Sequence, residues 1–177
     1  MRASTRRVLA LLGVTALTLS PLAGLPALAV HEAGHALGAW LSGGQVTSVH
    51  LGLDLAGHTE TRGGALLAVL LGGPLAAVVL PAGLAAVAGG VGGRLARAAE
   101  AVGLVVLLRA VLDLGWHGLI APGPYSDAAR VGAAVGAPAR LVGASLFAVG
   151  LAMLLWLAAR ARYRMFQVSS MGPKPAA

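Results

Sequence analysis

Two histidines and a glutamate stand within five residues of each other in His31-Glu32-Ala33-Gly34-His35. On a helix, residues four apart lie on one face, about 40° apart around the axis, so both imidazoles can grip one metal ion. Glu32 is rotated beside them, within reach of a metal-bound water. This HExxH spacing suits hydrolysis: zinc lowers the pKa of the water, and the carboxylate takes its proton as the oxygen attacks a peptide carbonyl. The plain alternative is two interfacial histidines and a solvated glutamate at a helix end. The setting weighs against it, because ionisable side chains in an apolar helix are costly and three at ligand spacing are costlier still.

Other polar residues could complete or extend such a site. Asp113 lies inside an apolar segment, with Arg109 and His117 four residues to either side, so the three form one stripe on a helix face. A buried Arg109–Asp113 ion pair is the preferred reading of that stripe, although it could also line a water path to the metal. Pro122-Gly123-Pro124-Tyr125-Ser126-Asp127 is a turn ending in a helix N-cap signal, for which Ser126 and Asp127 are both suited. His50, Asp54 and His58 could bind metal, but alternating polar residues on a hairpin are usually its solvated face. The absence of Cys removes thiolate zinc sites, disulfides and cysteine nucleophiles together.

These residues sit in a chain built for lipid. Apolar residues make up 58% and charged residues 11% of the 177, and the mean hydropathy is +0.84. That leaves too little polar surface to coat a soluble globule. The net charge of +7 comes largely from Arg at the edges of apolar runs: Arg2, Arg6 and Arg7, Arg94 and Arg97, and Arg160, Arg162 and Arg164. Membrane-flanking charge has this placement. A basic stripe with interleaved aromatics is missing, which excludes nucleic acid as the expected partner.

An uncharged stretch at 8–30 continues as an apolar pattern to about Leu41. A single helix over that length would be about 50 Å long, beyond a hydrocarbon core of about 30 Å. A break is expected at Ser20-Pro21 or Leu25-Pro26, giving a short helix near 7–20 and a second near 26–42. Residues 45–62 alternate in polarity around Ala56-Gly57, which predicts a β-hairpin at the membrane surface. Further apolar segments follow at about 64–89, interrupted by Pro74 and Pro81, at 98–121 and at 139–159; each is long enough to span. Arg6, Arg7 and Ala27-Leu28-Ala29 also resemble a signal peptide with its cleavage site. Cleavage there would strip the first turn from the His31 helix, and a membrane anchor fits better beside the later spanning segments. The tail, 169–177, is expected to be disordered.

The chain resembles the site-2 protease type of intramembrane metallopeptidases, peptidase family M50, and is most similar to its M50B-like branch. The resemblance rests on His31-Glu32-Ala33-Gly34-His35-Ala36-Leu37, Ser42-Gly43-Gly44-Gln45-Val46, Thr59-Glu60-Thr61-Arg62-Gly63-Gly64 and Leu71-Gly72-Gly73-Pro74-Leu75-Ala76. It implies a third zinc ligand from an Asp in a later Pro-rich turn, which matches Asp127, with Asp113 as the rival. Ala77 stands where the second motif of the family often has Asn.

The expectation is therefore an all-α membrane protein, a bundle of about four to five transmembrane helices with a small β-hairpin after the HExxH helix, forming one domain over 1–168. Its expected function is a zinc endopeptidase, integral and multi-pass in the cell membrane. Zn2+ would be held by His31, His35 and Asp127, Glu32 would be the base, and the substrate would be a membrane protein or peptide. A non-catalytic scaffold or chaperone of the same fold, and a metal-handling protein, are the rivals.

Overall fold

The computed structural model describes residues 12–91 and 93–170. Helix α1 (Leu12–Leu19) meets α2 (Pro21–Leu41) at an angle of 51°. The break falls at Ser20-Pro21, one of the two expected places. Ser20 is extended and Pro21 opens α2 at its first position, where a missing N–H costs nothing. Pro26, the other expected break, lies inside α2, and Pro74 and Pro81 lie inside a single α3 (Leu66–Val91). Membrane helices accommodate proline in this way, because neighbouring helices hold the segment and local adjustments satisfy the freed carbonyl.

Strands β1 (Gln45–Leu51) and β2 (Gly57–Arg62) form the expected antiparallel hairpin, with Gln45 opposite Arg62 and His50 opposite His58. The turn falls at 53–55, ahead of the expected Ala56-Gly57, and Gly57 already opens β2. Gly52 N–H donates to Ala56 O at 2.7 Å, Ala56 N–H to Asp54 Oδ1 at 3.1 Å, and Leu55 takes a left-handed φ of 64°. Asp54 is thus a turn former, the common role of a short acceptor side chain.

Helix α4 (Gly93–Asp113) runs into a π-helical stretch, Leu114–Ile120, followed by the Pro-rich turn, α5 (Asp127–Val135) and the long α6 (Ala139–Ser170). Ser169 and Ser170, expected as the start of a disordered tail, close α6; the rest of that tail, and residues 7–11 of the expected first helix, lie outside the described residues.

Among the described residues two helices are long and apolar enough to cross a membrane, Leu66–Val91 and Ala139–Arg164, with a third span if the bent α1–α2 pair counts as one. This is fewer than the four to five expected from apolar runs. The two N-terminal segments join into one bent unit, and α4 carries Arg94, Arg97, Glu100, Arg109 and Asp113.

Small residues set the packing between α2 and α3. A Cβ at Gly34 would lie 2.7 Å from the Gly72 carbonyl carbon and 2.6 Å from Ala76 Cβ, so the backbones approach as only glycine allows. Val78, Ala82 and Ala85 of α3 meet Leu107 and Val111 of α4 and Leu157 of α6 in a buried apolar cluster. At one end, Arg164 of α6 binds Glu100 of α4 at 2.5 Å and the Gly89 carbonyl of α3. Leu84, Val87, Leu155 and Trp156 remain exposed on the spanning helices, as suits contact with acyl chains.

Candidate metal centre

The central helix carries His31, Glu32 and His35 at its middle, where α3, the hairpin and α5 converge. His31 Nε2 and His35 Nε2 are 3.1 Å apart. Asp127 Oδ2 lies 2.8 Å from His31 Nε2 and 3.4 Å from His35 Nε2. A tetrahedral zinc ion with bonds of about 2.0–2.1 Å has ligand–ligand edges of about 3.3 Å; two of the three separations are close to that value, and the 2.8 Å between His31 and Asp127 would open by about 0.5 Å around an ion.

The chemistry of the donors points the same way. His35 Nδ1 lies 2.6 Å from the Val69 carbonyl of α3. A carbonyl only accepts, so Nδ1 carries the proton and donates it. The Nε2 lone pair is then directed at His31 and Asp127, the support typical of a ligating histidine. Two imidazole nitrogens and a carboxylate oxygen facing one another at these distances need a cation, proton or metal, between them. Gly73 makes this arrangement possible, since a Cβ there would lie 2.6 Å from His35 Cε1.

Local structure frees Asp127 for this role. The N-cap of α5 is Ser126, whose Oγ accepts from Ala129 N–H at 3.3 Å. Asp127 is the first helical residue, and its carboxylate turns to the histidines. It lies outside the candidate spans. Burial opposes its ionisation, but with the imidazoles protonated and no metal between them, hydrogen bonds from His31 and His35 and their positive charge outweigh that cost and hold the carboxyl well below its usual range.

Glu32 is buried, with 3% of its surface exposed, and belongs with His31 and His35 to a group whose ligand atoms all lie within 4.8 Å of one another. Its Oε2 accepts from the Thr59 hydroxyl of β2 at 2.7 Å. Neither this contact nor the Val69 carbonyl was foreseen from the sequence. The hairpin alternation was the available signal, since it places Gly57 and Thr59 on the face opposite His58 and Glu60.

Asp113 is engaged elsewhere: Arg109 Nε donates to its Oδ2 at 2.8 Å, the ion pair preferred for that stripe. Arg109, Asp113 and His117 nevertheless line the same cavity as the histidines, a space of about 1090 Å³ between α2, the hairpin, α4 and the turn before α5. Ala77, 3% exposed, also lines it, so the departure from the family motif falls on the wall of the site. His50 and His58 stack across the hairpin with centroids 5.1 Å apart and stay exposed, and His58 also lines the rim of the cavity that holds His31 and His35.

The sequence model of a family described as Peptidase M50B-like matches residues 6–112, well over half of the chain. The match takes in the HExxH helix, the hairpin, both glycine motifs and Arg109, and it stops before Asp127, whose placement rests on geometry alone. No curated protein and no solved structure matches the chain. A helical bundle with apolar spans, a two-stranded hairpin and a His-Glu-His group able to hold a metal agree with the matched family. The chain belongs to the M50B-like peptidases, a family of membrane metallopeptidases of the site-2 protease type.

Proposed function

We propose that the protein is a zinc endopeptidase, multi-pass in the cell membrane, that hydrolyses peptide bonds of membrane or membrane-proximal proteins. The observation that carries this reading is the meeting of His31 Nε2, His35 Nε2 and Asp127 Oδ2 beside a buried Glu32. These three donors would hold the ion and leave a fourth position open. Zinc bound there supplies a Lewis acid and an acidified water.

Glu32 takes the proton of the attacking water and later delivers it to the leaving amine nitrogen. His35 is held in register by Val69, so its ring does not swing as charge develops. Arg109, Asp113 and His117 give the cavity a polar wall along which water can reach the site. A substrate must enter extended, because a helix buries its carbonyls in its own hydrogen bonds.

Glu32→Gln keeps the shape of the side chain and removes the base. The variant is expected to retain zinc and to lose cleavage of apolar peptides in detergent micelles by about 100-fold or more. Cleavage at the wild-type rate would remove the catalytic assignment.

A scaffold or chaperone of the same fold is the second reading, favoured by Ala77 where the family often carries Asn on the cavity wall. Zinc-free purified protein that still binds membrane partners would select it. Several weakly held, exchangeable ions would indicate metal handling instead.

A further inference from the structure

Two residues of β2 press on the same side chain. Besides its 2.7 Å contact to Glu32 Oε2, the Thr59 hydroxyl stands 3.1 Å from the Glu32 main-chain carbonyl. A hydroxyl has one proton, and the shorter contact to the carboxylate takes the greater share of it. On the other side, a Cβ at Gly57 would sit 2.9 Å from Glu32 Oε1 and 3.1 Å from its Cγ. The bare backbone of Gly57 and the hydroxyl of Thr59 therefore bound the carboxylate on the hairpin side, while Glu32, 3% exposed, still lines the cavity.

A glutamate side chain has three rotatable bonds, and a base must be aimed within hydrogen-bond reach of the proton it takes. Thr59 suits the task of aiming it. It is β-branched and stiff at its first side-chain torsion, and its strand position is pinned by pairing with Val49 of β1. The hydroxyl occupies one of about four lone-pair sites on the carboxylate and leaves the others free.

We propose that Thr59 is a positioning residue: its hydroxyl holds the Glu32 carboxylate in the orientation needed for proton transfer, with Gly57 leaving the room to do so. The hairpin thereby becomes part of the catalytic apparatus. The role in turnover rests on the proteolytic reading above, whereas the orientation of Glu32 can be read without it.

The test compares Thr59→Val, which keeps the shape and loses the hydroxyl, with Thr59→Ser, which keeps the hydroxyl. Thr59→Ala is a second hydroxyl-free variant should Val disturb folding. The chain has only three glutamates, Glu32, Glu60 and Glu100, so metal-free protein labelled with carbon-13 at the glutamate carboxyl gives three signals. The Glu32 signal is the one lost in Glu32→Gln.

It is expected to shift in Thr59→Val and Thr59→Ala and to return in Thr59→Ser. With a library of apolar peptides in micelles, Thr59→Val should lower kcat by about 10-fold or more with KM within about twofold, and Thr59→Ser should recover most of the loss. Zinc content should stay that of the wild type. An unmoved Glu32 signal in the hydroxyl-free variants overturns the proposal. So does a moved signal with kcat unchanged, or equal losses in Val and Ser. A wild-type protein that cleaves nothing counts against the proteolytic reading instead, and the resonance comparison then decides the contact by itself.

Discussion

At the scale of single residues, the site divides groups that touch one another from groups that share only a cavity. Asp127 faces both histidines, whereas Asp113 is held by Arg109. Removing a partner that merely orients a zinc ligand typically costs 10–100-fold in affinity, so losing a ligand should cost at least about 100-fold. Asp127→Ala is expected to lose zinc to that extent, and Asp113→Ala to keep affinity within about threefold, as measured by competition with a chelator. The reverse pattern would move the third ligand to Asp113. Gly73→Ala supplies a check from the other side. Its new Cβ would meet the His35 ring and force it off the Val69 carbonyl, so zinc affinity should fall by about 10-fold. The histidine pair and Glu32 were legible in the sequence because helix geometry fixes residues one turn apart. Asp127 could be named but not told from a helix cap, since only the folded turn reveals that Ser126 caps α5. Val69 offers a main-chain carbonyl, which no side-chain pattern encodes.

At the scale of elements, the close approach of α2 and α3 brings Val69 and Gly73 to His35. The seam depends on Gly34 and Gly72, and also on Gly38, whose Cβ would lie 2.8 Å from the Ala68 carbonyl carbon. Gly34→Ala has no space for its methyl group and is expected to destabilise the fold by about 1–3 kcal/mol, read as a lowered Tm in detergent. Gly83→Ala is the control: nothing lies within 4 Å of its Cβ, and the higher helix propensity of alanine should leave Tm unchanged or slightly raised. Equal losses at both positions would mean that the seam is not what holds the helices. The helices and hairpin were readable from apolar length and from alternation. Pro26, Pro74 and Pro81 misled as break signals, because tertiary packing keeps α2 and α3 continuous through them. The π-helical stretch at Leu114–Ile120, which carries His117 into the cavity, leaves no mark in an apolar run.

At the scale of the whole molecule, apolar flanks face outward, while Arg109 and Asp113 of α4 line the cavity and Arg94 and Arg97 stay exposed. Among the described residues two or three helices are apolar enough to span, against four to five expected, because α4 carries charged residues within its apolar run. Since the chain has no cysteine, single introduced cysteines report on lipid cleanly. Leu155→Cys, exposed midway along α6, should resist a water-soluble maleimide in intact membranes, whereas Leu95→Cys, between Arg94 and Arg97, should react. Equal labelling would contradict a spanning α6. Proteolysis by this bundle requires a metal held by two imidazoles and one carboxylate. Zinc K-edge X-ray absorption on purified Glu32→Gln protein tests it most directly. One zinc per chain, with two imidazoles and only nitrogen or oxygen neighbours at about 2.0–2.2 Å, is the predicted result. Protein without zinc, or an ion bound by fewer than two imidazoles, would contradict it.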